Sequence, residues 1–142
     1  GLYLKHSAFQ DLLPVSIVMK AMGVQSDMEI VQMVGLERQY LDSLMPSLQE
    51  VHEKNIFSQK AAIDYMNSKL KTKDGRKPTK DFEASQILRR QLLSHIECPN
   101  NSFAPKIRYM GLMIRRVINA MHEEHLVDDR DYYGNKRLEL SG

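Results

Sequence analysis

The stretch FAPKIRYMGLMIRRVINAMH, residues 103–122, decides the fold of this chain. Its apolar side chains recur at the i, i+3, i+4, i+7 spacing that lines up on one face of an α-helix. Those positions are Ile107, Met110, Ile114, Val117, Ile118 and Met121. The spacing predicts a long helix with one buried face. Gly111 lies on the same face and predicts a close approach by another helix, because glycine has no side chain.

Three shorter helices have recognisable N-terminal caps. Ser26 and Glu29 have the spacing of a capping box, in which the Ser26 hydroxyl accepts from the Glu29 amide and the Glu29 carboxylate reaches back. Ser58 and Thr79 are each followed by apolar residues at helical spacing, so each is predicted to cap a further helix. Such caps provide a partner for amides that the first helical turn leaves unpaired.

Two prolines are expected to mark helix boundaries. Pro14 fits the first turn of a helix that Gly23 would end. Residues 36–44 show a helical stripe, and Pro46 is expected to break this helix and to open the next one. The reason is that proline has no amide donor and clashes with the preceding helical turn.

The predicted fold class is mostly α, a compact helical unit of about six or seven helices. Residues 2–4 could form a short N-terminal strand. Residues 72–79, TKDGRKPT, are expected to form a polar loop, because Gly and Pro interrupt regular structure. The C-terminal segment is expected to be irregular.

Composition limits the classes of protein that fit. The chain has 142 residues, about one domain, and a formal net charge of +2, whereas freestanding nucleic-acid binders usually show a clear basic excess. The single cysteine excludes an internal disulfide framework and suits a reducing compartment. No apolar run reaches the roughly 18 residues of a membrane span, and the N-terminus does not resemble a secretory signal. Because the chain does not begin with Met, an internal fragment of a larger protein is expected.

The C-terminal stretch VDDRDYYGNKRLELSG, residues 127–142, has an order of residue types that folding alone does not require. Three carboxylates, two aromatics and a Gly-Asn pair precede Lys136 and Arg137. The stretch resembles the D-D-R-D-x-x-G-N-K-R-L motif of the second-largest subunits of multisubunit RNA polymerases. Tyr132 and Tyr133 resemble the RNA polymerase III form of that motif.

The resemblance extends to the other end of the chain. Residues 20–33, KAMGVQSDMEIVQM, resemble the helical part of the same subunit, and residues 113–118, MIRRVI, resemble the helix before the motif. About residues 52–102 are far less similar. The resemblance implies a division into residues 1–127, a fragment of a helical lobe domain, and residues 128–142, the start of a fork region.

Candidate metal sites fail on spacing. A calcium loop beginning at Asp129 would need a carboxylate at its twelfth position, which is Leu140. The aspartates of this stretch are therefore interpreted as capping turns or pairing with arginines. His122 and His125 are three residues apart, whereas zinc proteases use a spacing of four, so a small metalloenzyme is only a minor alternative. His95 and Cys98 form no complete site either.

Basic residues are the candidates for contact with nucleic acid. The resemblance places Arg130, Lys136 and Arg137 near the active-centre cleft, with Gly134 and Asn135 forming a turn that presents the last two. Internal ion pairs with the neighbouring aspartates are the alternative for these cations. A basic run in the predicted loop could contact DNA or an acidic partner, or could simply be solvated. The run extends from Lys69 to Lys80, and its candidates are Lys71, Lys73, Arg76 and Lys77.

Three arginines of the long helix lie off its apolar stripe. Arg108, Arg115 and Arg116 are expected to be exposed, to pair with acidic neighbours or to form a partner surface.

The resemblance implies a DNA-directed RNA polymerase III, a nuclear nucleotidyltransferase, as the parent enzyme. The lobe would form one wall of the DNA cleft and would dock other subunits, including a heterodimer that resembles general transcription factor F. Mg²⁺ would be held by the largest subunit, and this chain is expected to hold no cofactor or metal and to be non-catalytic alone. The alternatives are a self-contained helical interaction module and the equivalent lobe of RNA polymerase I or II.

Overall fold

The chain begins with a short strand and then folds mainly into helices. The computed structural model describes residues 2–71, 83–90, 92–93, 96–97, 102–127 and 136–139. In chain order the elements are β1 Leu2–Lys5, β2 Leu13–Pro14, α1 Val15–Ala21, α2 Asp27–Val34, α3 Arg38–Glu53, α4 Gln59–Ser68, α5 Glu83–Arg90, α6 Ala104–Val127 and β3 Lys136–Glu139. The prediction of a mostly α fold is confirmed, with six helices in the described part of the chain.

Helix α1 lies within the core and packs against α3 and α4. Val15, Ile17, Val18 and Met19 are fully buried, as expected for a helix that is apolar on several sides. Gly23 follows shortly after the helix with φ of 116°, a conformation that strains any residue with a side chain. The prediction that this glycine stops the helix is confirmed.

The predicted N-caps of α2 and α4 are also confirmed. Ser26 Oγ accepts a hydrogen bond from the amide of Glu29 at 3.4 Å, and Ser58 Oγ accepts one from the amide of Ala61 at 3.0 Å. The Glu29 carboxylate reaches back and accepts from the amide of Gln25 at 2.8 Å. These bonds pair backbone amides that would otherwise depend on water at each helix start.

The prediction that Pro46 ends one helix and opens another is wrong. Helix α3 runs unbroken through Pro46. Proline removes the hydrogen bond to the Asp42 carbonyl, but Asp42 and Pro46 are both exposed, so water can satisfy that oxygen. Leu44 and Leu48 are buried on either side of the proline, and their burial favours one continuous helix.

Helix α6 is the predicted long helix, and it continues to Val127, beyond the end expected near His122. Its fully buried side chains recur every four residues and include a lysine. They are Lys106, Met110, Ile114 and Ile118. A Cβ added at Gly111 would lie 3.0 Å from Met33 Cβ, so α2 packs directly onto α6 at this glycine. The predicted close approach is confirmed.

The sheet has the strand order β2-β1-β3. Strand β1 pairs antiparallel with β2, Leu4 with Leu13, and parallel with β3, Leu4 with Leu138. The amide of Leu2 donates to Ser47 Oγ of α3 at 2.9 Å, which ties the sheet to the helices. Of the three strands, only β1 was predicted from the sequence. Strand β3 was not, because a parallel partner distant in sequence leaves no local signal. Within the C-terminal segment expected to be irregular, residues 136–139 therefore form a strand.

Several sequence predictions lie outside the described residues. These are the polar loop at residues 72–79, the cap at Thr79 and most of residues 128–142. The domain boundary after residue 127 stays a prediction. No helix in the described ranges is long and apolar enough to cross a membrane.

Candidate nucleic-acid interface

Strand β1 positions the backbone of two predicted site residues. In the parallel ladder Lys136 lies opposite Leu2, and Arg137 lies opposite Tyr3. The backbone hydrogen bonds of this ladder fix both residues at defined positions of the sheet. The turn predicted just before Lys136 lies outside the described residues. The two cations are thus anchored by a strand that the sequence did not predict.

Tyr3, the ladder partner of Arg137, is tied to helix α3. Its hydroxyl donates a hydrogen bond to Glu50 Oε2 at 3.2 Å. Burial, and then the negative charge of Glu50, raises the pKa of Tyr3, so the phenol stays protonated and continues to donate. Glu50 Oε1 also lies 3.8 Å from Lys54 Nζ, one turn further along the helix. This chain of contacts holds the middle strand of the sheet against α3.

A second group of cations lies around Tyr65, and we call Lys54, Tyr65 and Lys69 the lysine–tyrosine cluster. The Nζ atoms of Lys54 and Lys69 each lie 5.6 Å from the centre of the Tyr65 ring. Both distances are within the range of a cation–π contact. Lys69 Nζ is also 3.3 Å from Asp11 Oδ2. The cluster interleaves an aromatic ring with cations, although nearby carboxylates offset part of the charge.

The predicted candidate Lys71 is attached to the loop between β1 and β2. Its amide donates to the Ala8 carbonyl at 2.9 Å, and the amide of Gln10 donates to the Lys69 carbonyl at 2.8 Å. Phe9 and Leu70 form an isolated antiparallel bridge between these bonds. Lys71 is exposed. The N-terminal segment, residues 2–14, thus anchors both Lys71 and the strand that contains Lys136 and Arg137.

His6 stabilises the turn within this N-terminal segment. It is 8% exposed, and its Nδ1 accepts a hydrogen bond from the amide of Ala8 at 3.1 Å. Burial lowers the pKa of His6, which keeps the imidazole neutral and Nδ1 free to accept. The Phe9 ring packs edge-on against the imidazole, with 6.0 Å between ring centres. Neutral His6 therefore supports the loop to which Lys71 is bonded.

Other predicted site residues cannot be placed. The structure's described part does not include Arg130, Lys73, Arg76, Lys77, the aspartates of the C-terminal motif, His95 or Cys98. His122 lines an open cleft of about 420 Å³ between α3 and α6, next to Arg38 and Asp42. Among the described residues, no three His, Cys, Asp or Glu side chains lie close enough together to hold a metal ion.

Sequence reasoning missed two features. Lys106 is only 1% exposed although it is charged. Its burial could have been predicted, because it lies four residues before Met110 and so on the apolar face of the helix. The lysine–tyrosine cluster had only a partial signal. Tyr65 and Lys69 are four residues apart, so they can meet on one side of a helix, whereas Lys54, the residue after α3, is brought to Tyr65 by tertiary folding.

A family model and individual relatives assign this chain to the same protein family. The family model described as RNA polymerase Rpb2, domain 2, matches residues 1–139. The chain is 46% identical over 142 residues to DNA-directed RNA polymerase III subunit 2 of Arabidopsis thaliana, covering 99% of this chain and 12% of that protein. Identity to DNA-directed RNA polymerase III subunit RPC2 of Schizosaccharomyces pombe is 44% over 146 residues, which cover 99% of this chain and 12% of that protein.

A polymerase II relative is less similar. DNA-directed RNA polymerase II subunit 2 of Arabidopsis thaliana is 32% identical over 133 residues, which cover 92% of this chain and 11% of that protein. The resemblance to the polymerase III form is confirmed. The chain spans about one eighth of the length of the first two relatives, 12% in each case.

Proposed function

Since this chain belongs to the family described as RNA polymerase Rpb2, domain 2, we propose that it forms the lobe of the second-largest subunit of a DNA-directed RNA polymerase III. In this role it lines one wall of the cleft that receives DNA. The parent complex is a nucleotidyltransferase that makes RNA on a DNA template in the nucleus. The higher identity to polymerase III subunits than to the polymerase II subunit, 46% against 32% in one organism, favours polymerase III.

One structural observation carries the nucleic-acid part of this proposal. The parallel pairing of β3 with β1 anchors Lys136 and Arg137 on the same N-terminal segment that binds the backbone of exposed Lys71. Residues whose backbone is already fixed lose little backbone entropy when their cationic side chains contact phosphates. Lys136 and Arg137 are therefore proposed as phosphate contacts, with Arg130 as a third. Lys73, Arg76 and Lys77 are proposed to extend the basic surface beyond Lys71.

The partners proposed for this lobe are the other polymerase III subunits. They include the heterodimer that resembles general transcription factor F. Exposed apolar side chains in α2 and in the connections after α2 and α3 give the described surface places where protein could dock. The largest exposed fractions are those of Leu36, Phe57 and Met28, at 64%, 60% and 58%.

We propose that the lobe takes no direct part in nucleotidyl transfer. Two-metal chemistry needs carboxylates that converge on the ions. Mg²⁺, which neutralises phosphate charge during transfer, is assigned to the largest subunit of the parent polymerase. The residues of this chain would position DNA and partner proteins.

The test is the double variant Lys136→Ala and Arg137→Ala in the assembled polymerase. We expect slower elongation and a smaller loss of activity as the salt concentration rises. Each lost phosphate contact reduces the slope of log binding constant against log salt concentration by about 0.9. The matched control is Lys60→Ala with Arg38→Ala, which removes the same charge from exposed positions on α4 and α3. Unchanged elongation with unchanged salt dependence would show that the two cations do not contact phosphates.

A self-contained helical interaction module is the second candidate, favoured by the exposed side chains of Phe57 and Met28. His52 contacts Phe57 and the residue before Met28. Its ring centre is 5.6 Å from that of Phe57, and its Nε2 is 2.9 Å from Oδ2 of Asp27. If this module acts alone, Phe57→Ser should abolish partner binding while leaving transcription by the assembled polymerase intact. If the chain is a lobe, Phe57→Ser should weaken docking within the polymerase and lower transcription by the assembled complex.

A further inference from the structure

We propose that the outward face of α6 binds an acidic protein segment that also carries an apolar side chain. This arginine face consists of Arg108, Leu112, Arg115 and Arg116, all of which are exposed. The proposal deepens the docking role above by giving one surface and the chemistry of its partner. It rests on the proposed function only for its setting in an assembled polymerase.

The spacing of the face explains its direction. Arg108, Leu112 and Arg116 are four residues apart, so their side chains lie one above another along one side of the helix. Met110 and Ile114 are fully buried on the side that faces the core. Arg108, Leu112 and Arg116 therefore lie on the side of α6 away from these buried residues, and Arg115 lies at the edge that meets α2 and α3.

The charge of the face is not offset within the described residues. None of the ion pairs formed there involves Arg108 or Arg116. The first acidic residue of α6 is Glu123, beyond the face. The positive charge of these arginines can attract an anionic partner and set its orientation.

Arg115 is already held in place at the edge of this face. Its guanidinium carbon lies 4.9 Å from the centre of the Tyr40 ring, and its Nη1 donates to the Val34 carbonyl at 3.5 Å. The Tyr40 hydroxyl in turn donates to Asn119 Oδ1 at 2.8 Å. These contacts reduce the conformational entropy that Arg115 would lose on binding an anionic partner.

Leu112 indicates a protein rather than a nucleic acid as the occupant. It is 42% exposed between Arg108 and Arg116, where a phosphate backbone would gain nothing from covering it. An apolar side chain from a peptide would instead bury it. Leu36, two residues after the Val34 whose carbonyl accepts from Arg115, is 64% exposed. A segment that alternates carboxylates with an apolar residue fits this arrangement.

The test uses the assembled polymerase with the photo-reactive substitution Leu112→p-benzoylphenylalanine. The probes are a short fluorescent peptide with the repeat Glu-Glu-Leu, a matched Gln-Gln-Leu peptide and a fluorescent DNA duplex. We expect crosslinking to the acidic peptide only. Adding Arg108→Glu and Arg116→Glu should lower its yield about tenfold, and the milder Arg108→Gln with Arg116→Gln should give a smaller loss. Arg90→Glu, a charge reversal at an exposed position of α5, should have little effect.

Each other result overturns the proposal in a different way. Crosslinking to DNA would make nucleic acid the occupant, and equal yields for the two peptides would show that charge plays no part. Absence of crosslinking to any probe would mean that the face is not a docking surface. Transcription by the same preparations reports separately on the proposed function, so failure of one can be distinguished from failure of the other.

Discussion

The ammonium group of Lys106 donates hydrogen bonds to two carbonyl oxygens at the end of α5, that of Leu88 at 2.6 Å and that of Arg89 at 2.8 Å. The last turn of a helix leaves carbonyls unpaired and carries partial negative charge, so a cation there is stabilising. Lys106 is 1% exposed, and its charge is compensated by these oxygens. One side chain thus joins the start of α6 to the end of α5.

Replacing this lysine should destabilise the fold. Lys106→Met keeps much of the side-chain volume but leaves the carbonyls of Leu88 and Arg89 without this donor. We expect the free energy of unfolding in urea to fall by about 1–3 kcal/mol. Arg108→Met, an exposed position on the same helix, should change it by less than about 0.5 kcal/mol. Equal effects of the two substitutions would show that the buried hydrogen bonds contribute little.

A side chain at Gly111 should separate α2 from α6. Because a Cβ there would lie 3.0 Å from Met33 Cβ, Gly111→Val should lower the free energy of unfolding by about 1–3 kcal/mol. Gly111→Ala should cost less, since a shift of Met33 can accommodate one methyl group. Thermal unfolding compares both variants with Leu112→Ala on the exposed side of the helix. A Gly111→Val variant as stable as the parent would contradict the close packing.

Pro46→Ala should stabilise α3. Alanine restores the amide that can donate to the Asp42 carbonyl and removes the steric clash within the helix. We expect the free energy of unfolding to rise by about 1–3 kcal/mol. The control is Gln49→Ala, at an exposed position of the same helix. If Pro46→Ala lowers stability, the proline has a role in packing that its exposure does not suggest.

Local signals predicted the features whose cause is local. Ser58 caps α4 because a side-chain oxygen three residues before an amide needs no other part of the fold. Pro46 was misread because propensity favours a break, whereas burial of Leu44 and Leu48 favours a continuous helix. Strand β3 was missed because its pairing depends on β1, at the opposite end of the chain.

The candidate site shows the same limit. Lys136 and Arg137 could be selected from a sequence motif, but only the ladder shows what holds their backbone. Lys69 is four residues after Tyr65 and could be paired with it from spacing. Lys54 could not, because only tertiary folding brings the residue after α3 next to Tyr65.

Acid should weaken the fold through His6. Burial lowers the pKa of His6 in the folded chain. As the pH falls below about 6.5, the unfolded chain therefore binds a proton at this residue before the folded chain does. The stability that neutral His6 contributes is therefore complete at pH values above its pKa in the unfolded chain. It is lost as the pH falls through its pKa in the folded chain. Protonation also removes Nδ1 as the acceptor for the Ala8 amide. Urea unfolding at several pH values between about 7.5 and 5 measures the effect.

The control for this pH dependence is a second histidine. His6→Gln should give a shallower fall of stability with acid than the parent chain, because one protonation that favours unfolding is removed. His122→Gln, at an exposed position of α6, should leave the parent slope nearly unchanged. If His6→Gln and the parent have the same slope, the buried imidazole does not control acid stability.

The most direct measurement of the central claim, that the proposed lobe places Lys136 and Arg137 at nucleic acid, is site-specific crosslinking in an elongating polymerase. Arg137→p-benzoylphenylalanine should crosslink to the nucleic acid, and the same substitution at Arg38, an exposed position of α3, should not. Crosslinks from position 137 to protein alone, in a complex that is still elongating, would contradict the account.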